Sequence, residues 1–237
     1  MFKSKAEETK AHIFKIALGL FRRKGFDETT MRDIASAADM ALGSAYYYFP
    51  SKEAIVATYY DHVQSAHRER SVAILASTKN LKARLTRIVE AKLDILADDR
   101  KLLAALFRYG GDPGHPLSWF GPETWRHRES CMRTYAEAMA VERLPEDVAE
   151  IAPLGLWALD MGILLYFLFD QSEGQARTRK LAAGAMELVV QAQQFVLFPL
   201  LRPIRKRVIG LLKDAGLVPE MRKILARHEM EMEPEQA

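Results

Sequence analysis

The residues of this chain best suited to chemistry are hydrogen-bond donors gathered near its N-terminus. Thr29-Thr30 and Arg32 are followed by Gly43-Ser44-Ala45-Tyr46-Tyr47-Tyr48-Phe49 and, past Pro50, by Ser51-Lys52-Glu53. Hydroxyls, phenols and cations of this kind can donate to an anion, but none stands beside a base at a spacing that would make it a nucleophile. Catalytic alternatives elsewhere are thin. Cys131 and His127 stand four apart and would share a helix face, so a thiol–imidazole pair can be drawn. A lone cysteine is more commonly a packing residue, and a reactive one needs a surrounding that lowers its pKa. The chain has no glycine-rich phosphate loop, no G-x-S-x-G and no H-x-x-x-H pair. Its single cysteine excludes a disulfide scaffold and a multi-cysteine metal site. No catalytic residue, metal ligand or cofactor is therefore assigned.

Helices must position these donors. The 237 residues are 49% hydrophobic and 27% charged, the composition of a folded protein, and 34 basic against 31 acidic residues leave a net charge of only +3. That surplus does not announce a nucleic-acid binder; local arrangement has to show one. Apolar residues recur at helical spacing throughout, with no alternating strand run, so the fold class is all-α. A first helix is expected from about Thr9, its N-cap, to Lys24, with Ile13, Phe14, Ala17, Leu18 and Phe21 inward and Gly25 as the stop. Thr30 caps a second, with Asp33 in its first turn and an end near Ala37-Ala38. Asp39 reads as a tight turn in the left-handed region. A third helix starts near Leu42 and is blocked by Pro50; Ser51 caps a fourth that reaches about His67.

Two short helices joined by a tight turn and bracketed by longer ones describe a helix-turn-helix unit. Thr29-Thr30-Met31-Arg32-Asp33-Ile34-Ala35, Gly43 to Phe49 and Ser51-Lys52-Glu53, with Phe21-Arg22-Arg23-Lys24-Gly25-Phe26 upstream, resemble the N-terminal domain of the tetracycline-repressor (TetR) family. The resemblance covers residues 7–67, with the helix-turn-helix at about 30–49. The sequence departs from the family pattern at Asp39, where a turn glycine is usual, at Ala41, where Ser or Thr often caps, and at Leu42, where a polar or basic residue is common. Loss of the cap costs about 0.5–2 kcal/mol locally.

The resemblance implies a DNA-binding head and makes double-stranded DNA the expected partner. A major groove about 12 Å wide admits one helix, and Gly43, Ser44 and Ala45 give the third helix a small face. Ser44 can meet a base edge or a phosphate, and Leu42, which in isolation would read as core, a thymine methyl. Tyr46 and Tyr47 offer phenols to phosphates, and at least one of the three tyrosines must pack instead. Lys52 brings an ammonium and a helix N-terminus, and Thr30 and Arg32 do the same from the second helix. Arg22, Arg23 and Lys24 read equally well as a solvated helix end.

Further helices are expected at Leu81–Asp98, Lys101–Tyr109, Glu123–Met139, Glu146–Phe169 and Arg177–Phe198, broken at Gly110–Pro116, Leu144-Pro145 and Gln171–Gly174. Ile151–Phe169 is apolar apart from Asp160, but its central acid and the acids flanking it argue against a membrane span. The resemblance implies that residues 68–199 form a helical ligand-binding and dimerisation domain, with helices of about 146–169 and 177–198 pairing with a second copy. Two heads in successive grooves, about 34–36 Å apart or a multiple of that, imply a palindromic operator. The implied effector pocket draws on Phe107, Tyr109, Trp119, Phe120, Trp125, Cys131, Met132, Trp157, Asp160, Met161 and Tyr166; aromatics and methionines at such spacing equally make plain core. Asp160 needs a partner, whether an arginine, a hydrogen bond at the dimer interface or a cationic ligand. Residues 200–237 add an amphipathic helix, Pro203–Asp214, with Ile204, Val208, Leu211 and Leu212 on one side and basic residues around it. It either packs as a cap or makes a supplementary contact. A second short helix follows Pro219, and an acidic tail follows Glu229. The expected function is a cytoplasmic, homodimeric, ligand-responsive repressor released from its operator by a small apolar or amphipathic effector. The alternatives are an activator of the same family and an all-helical enzyme using the C-terminal pocket.

Overall fold

The structure is a computed structural model that describes residues 4–196 and 198–215, and these are helical with no strand among them. The chain divides into two compact units, one made of Met1–Val63 and Leu96–His127, the other of Gln64–Ile95 and Arg128–Ala237.

In the first unit, α1 (Lys5–Lys24) starts earlier than Thr9. Ser4 is its N-cap, accepting from the Glu7 amide while the Glu7 carboxylate accepts from the Ser4 amide, and Thr9 lies inside the helix, donating to the Lys5 carbonyl. Gly25 ends α1 at φ 95°, a conformation that side chains resist. α2 (Met31–Ala37) is capped by Thr30, with Asp33 closing the reciprocal bond. Asp39 turns the chain at φ 52°. α3 (Leu42–Tyr48) starts at Ala41 with no side-chain cap, as the missing hydroxyl requires. Ile13, Phe21, Ile34, Ala45, Phe49 and Ile55 are fully buried and make the core that holds α1, α2 and α3 together.

α4 (Lys52–Ser77) runs ten residues beyond His67, because nothing between 68 and 77 breaks it, and supplies residues to both units. A short turn, Ala97–Asp99, precedes α6 (Arg100–Gly110), which packs on α1 within the first unit. The Trp119 indole lies directly on Gly110, where a Cβ would sit 2.0 Å from the ring nitrogen. The loop that follows α6 is thereby folded back on it, with the Trp119 amide donating to the Gly110 carbonyl.

The second unit contains α5 (Leu81–Leu96), most of α7 (Trp125–Met139), α8 (Glu146–Phe169), α9 (Ala176–Val196) and α10 (Arg202–Asp214). α8 is long and apolar enough, by length and composition, to cross a membrane. Its buried residues Pro153, Leu156, Trp157, Asp160, Ile163, Leu164 and Phe167 nonetheless form one face at helical spacing, packed within the unit. Asp170 joins α8 to the start of α9, accepting from the amides and hydroxyls of both Ser172 and Thr178.

α10 does not pack on the side its pattern suggested. Ile204, Val208 and Leu211 are exposed, and Ile209 is the buried residue. Arg205 pairs with Asp147 at 2.9 Å and Lys213 with Glu150 at 3.7 Å, so the face carrying 205, 209 and 213 is turned onto α8. The helix after Pro219 and the acidic tail lie outside the described residues.

Candidate nucleic-acid interface and interior polar cluster

The donors are presented by short helices whose inner faces are fixed by core residues. On α3, Ala45 is buried, and Phe49 just beyond it, so Gly43, Ser44, Tyr46 and Tyr47 face outward; Tyr47 is 83% exposed and Tyr46 47%. Tyr48 is the inward member, half-buried and edge-on to Tyr47. Leu42 is partly exposed beside the exposed Ala41. Nothing lies within 4 Å of a Cβ added at Gly43. Arg32 is exposed on α2. Thr30 is exposed too, but its hydroxyl serves the cap, accepting from the Asp33 amide and donating to its carboxylate. That carboxylate is held down at about 2 by the Thr30 amide, then by Lys24 and the Thr30 hydroxyl.

Lys52 is less free than its position at a helix start suggests. Its ammonium donates to the carbonyls of Phe26 (2.7 Å) and Asp27 (3.3 Å) and sits 4.5 Å over the Phe26 ring. Two of three donors are thus spent on fastening the α1–α2 loop to α4, and the third remains for an anion.

Two contacts within the first unit tie α6 and the turn before it to α1, α4 and the α1–α2 loop, the segments that bracket the helix-turn-helix. Arg22 and Tyr59 both donate to the buried carboxylate of Asp99, at 2.5 and 3.0 Å. The Arg22 guanidinium is raised chiefly by its hydrogen bond to Asp99, and burial followed by the Asp99 charge pushes the Tyr59 phenol far up. At the far end of α6, Arg108 and Tyr109 both donate to Asp27, whose pKa is lowered first by the Tyr109 hydroxyl and then by Arg108. The basic run at the end of α1 is therefore not merely solvated.

The expected pocket residues fall in two separate groups. In the first unit, Phe107 and Trp119 meet edge to face at 4.7 Å, Tyr109 stacks on His115 at 4.4 Å, and Phe120 is exposed; Trp125 belongs to the same unit. In the second unit lie Cys131, Met132, Trp157, Asp160, Met161 and Tyr166. There the partner of Asp160 is a lysine, not an arginine. Lys92 of α5 pairs with Asp160 Oδ2, and its Nζ also lies 3.1 Å from Cys131 Sγ, with the Lys92 side chain 6% and that of Asp160 0% exposed. Burial is the largest single influence on Lys92 and would lower its pKa, but the Asp160 charge, the Cys131 charge and the hydrogen bonds to both together outweigh it, and the pKa is raised. Burial raises the Cys131 thiol to about 11 even though Lys92 opposes the shift, and His127 instead faces Tyr60 in the first unit. This is an inert thiol. The buried Tyr135 phenol is likewise pushed up by burial and by Asp160. Lys92 and Asp99 were not singled out in the sequence. Their partners lie 68 and 77 residues away, and only the lone acid at 160 signalled that some cation must come to it.

Residues 13–59 match the family model described as bacterial regulatory proteins, tetR family. Over 190 residues the chain is 30% identical to the uncharacterized HTH-type transcriptional regulator YdgC of Bacillus subtilis (strain 168), covering 69% of this chain and 94% of that one. The chain belongs to the tetR family. Other relatives match over shorter stretches: it is 36% identical over 86 residues to the HTH-type transcriptional repressor KstR2 of Rhodococcus jostii (strain RHA1), which is 35% of this chain and 42% of that one. The chain thus spans under half the length of that relative. A tetR-family regulator of Streptomyces coelicolor shares the fold at TM-score 0.60 and 20% identity, over 93% of this chain and 89% of that one. The tetR-family repressor FadR of Thermus thermophilus, solved in complex with lauroyl-CoA, does so at TM-score 0.52 and 22% identity, over 80% and 95%. TetR-family membership places the chain among DNA-binding transcriptional regulators rather than enzymes.

Proposed function

We propose that this tetR-family chain is a homodimeric, ligand-responsive repressor that binds a palindromic operator and releases it when a small apolar or amphipathic effector binds. The exposed face of α3 carries the reading. Gly43 and Ser44 are small enough to enter a major groove, with Leu42 beside them, while Tyr46, Tyr47, Arg32 and the remaining donor of Lys52 reach phosphates, which fix register, and Thr30 serves by capping α2. On this reading residues 7–67 are the DNA-binding domain, residues 68–199 bind the effector and dimerise, and the protein works in the cytoplasm.

Dimerisation uses α8 and α9. Their outward faces expose Leu165, Tyr166, Phe169, Leu181, Leu188 and Phe195, a display a second copy would cover. Effector control finds support in the lauroyl-CoA held by FadR, which shares the fold, and repression in the name of the relative KstR2, a transcriptional repressor. A full switch requires the effector to prefer the released conformation by about 5.5 kcal/mol. The effector site draws on the second-unit group around Cys131, Trp157, Asp160 and Met161.

A gel shift against the DNA upstream of the chain's own gene, with and without fatty acyl-CoA, tests the reading. A retarded complex that the acyl chain dissolves is expected. Binding no stronger than to unrelated DNA contradicts the operator, and a complex indifferent to a broad panel of apolar ligands contradicts effector release.

A further inference from the structure

Residues 40–49, the end of the turn and the whole of α3 with its flanks, read Met-Ala-Leu-Gly-Ser-Ala-Tyr-Tyr-Tyr-Phe and contain no Arg, Lys, Asn, Gln, Asp or Glu. Bidentate reading of guanine needs Arg or Lys, bidentate reading of adenine needs Asn or Gln, and acceptance from cytosine needs Asp or Glu. A recognition helix built as this one is can make none of those pairs. The hydroxyls it does expose, on Ser44, Tyr46 and Tyr47, both donate and accept, and so discriminate poorly between base edges. One discriminating chemistry is left: apolar contact with the C5-methyl of thymine, a group no other base carries in the major groove.

The geometry supplies that contact. Ala41 is exposed and Leu42 and Met40 are partly exposed, all at the N-terminal end of α3, the end that enters the groove in helix-turn-helix proteins. Gly43 has open space where a Cβ would stand, so nothing on that side holds the backbone away from the base edges. Ala41 and Leu42 are also two of the three positions that depart from the family pattern, each from a hydrogen-bonding residue to an apolar one. Arg32 does not restore guanine readout, since the first helix of the motif crosses the phosphate backbone.

We propose that the sequence preference of this regulator is set by thymine methyl groups read by Ala41 and Leu42, not by hydrogen-bonded guanines. The proposal rests on α3 being the DNA-reading helix. The operator half-site therefore carries thymine where these residues meet it, and the protein tells thymine from uracil.

The test begins with selection of preferred duplexes from a random pool by the full chain. The enriched site is then resynthesised with deoxyuridine replacing thymine, one position at a time, which removes a methyl and nothing else. Burying one methyl favours binding about fourfold, so one or two positions in each half-site are expected to weaken by that factor when demethylated. In Leu42→Ala, checked for an unchanged melting curve, the thymine–uracil difference at its position is expected to vanish. Uracil sites bound as tightly as thymine sites overturn the proposal. So does a selected site whose α3-facing positions are guanines, each costing tenfold or more when replaced. A pool that yields no enriched sequence overturns the DNA-reading assignment itself.

Discussion

Lys92 and Asp160 form an ion pair in the interior of the second unit, drawn from α5 and α8 and closed off from water on both sides. Breaking such a pair costs more than replacing it, because the survivor is a buried charge without its counterion. Lys92→Met alone is expected to lower unfolding stability by about 3–5 kcal/mol, and Lys92→Met with Asp160→Leu to recover most of that loss. Urea titration of the three proteins checks this. Equal losses in the single and double variants would mean that the pair itself, and not the orphaned charge, governs the site.

Cys131 shares that cluster, and burial holds its thiol near 11. At pH 8 the native protein is expected to react with a thiol-specific disulfide reagent far more slowly than the urea-unfolded chain, which carries an ordinary thiol. Rapid labelling of the folded protein would contradict both the burial and the dismissal of a catalytic cysteine.

His67 is buried, its Nε2 3.0 Å from the Ile88 carbonyl, and its pKa falls to about 4, first through burial and then through the Lys92 charge. Between that value and the ordinary 6.5 the unfolded chain binds a proton that the folded chain refuses, so stability falls as pH drops through this window. A loss of roughly 3 kcal/mol between pH 6.5 and 4 is expected from this residue. His67→Gln should flatten that part of the profile. Asp33, lowered from 3.8 to about 2, adds a loss of its own that begins at the acid end of this window and falls mainly below pH 4.

Asp99 accepts from both Arg22 and Tyr59, and its loss would strand a buried phenol. Asp99→Ala is expected to destabilise by about 2–3 kcal/mol, as for a hydrogen-bonded charge, seen as a lower melting temperature. Tyr59→Phe should cost less, since it removes one donor and leaves Arg22 in place.

Gly43 separates folding from function. Alanine there meets nothing and favours the helix, so Gly43→Ala should raise stability by roughly 0.5–1 kcal/mol while weakening operator binding. Parallel melting and binding curves check the opposite signs. A variant that is more stable and binds equally well would show that α3 does not approach DNA closely.

The features legible in the sequence were those decided by neighbours in the chain. Thr30 with Asp33, Gly25 and the left-handed Asp39 each follow from backbone chemistry within a few residues, and α8 has the bounds its apolar run set. The cap of α1 is Ser4-x-x-Glu7 and not the expected Thr9, although its spacing too is a local signal. The extent of α4 past His67 was hidden because no residue from 68 to 77 either breaks or demands a helix. Tertiary partners were out of reach. An acid at 160 announces that it needs a cation, but only the packing of α5 against α8 selects Lys92, and only the fold of the first unit brings Asp99 to Arg22. The same holds for α10, whose docking face is chosen by Asp147 and Glu150 rather than by its own apolar stripe.

Tyr47 is 83% exposed on α3, with its ring edge-on to Tyr48. Measuring operator affinity of the wild type and Tyr47→Phe by fluorescence anisotropy, on a duplex selected from a random pool, probes the DNA-reading face most directly. An enriched inverted repeat, bound about tenfold more weakly by the variant at unchanged melting temperature, is expected from the loss of one phosphate hydrogen bond. Equal affinities, or a pool with no enriched repeat, would contradict the assignment of α3 as the helix that meets DNA.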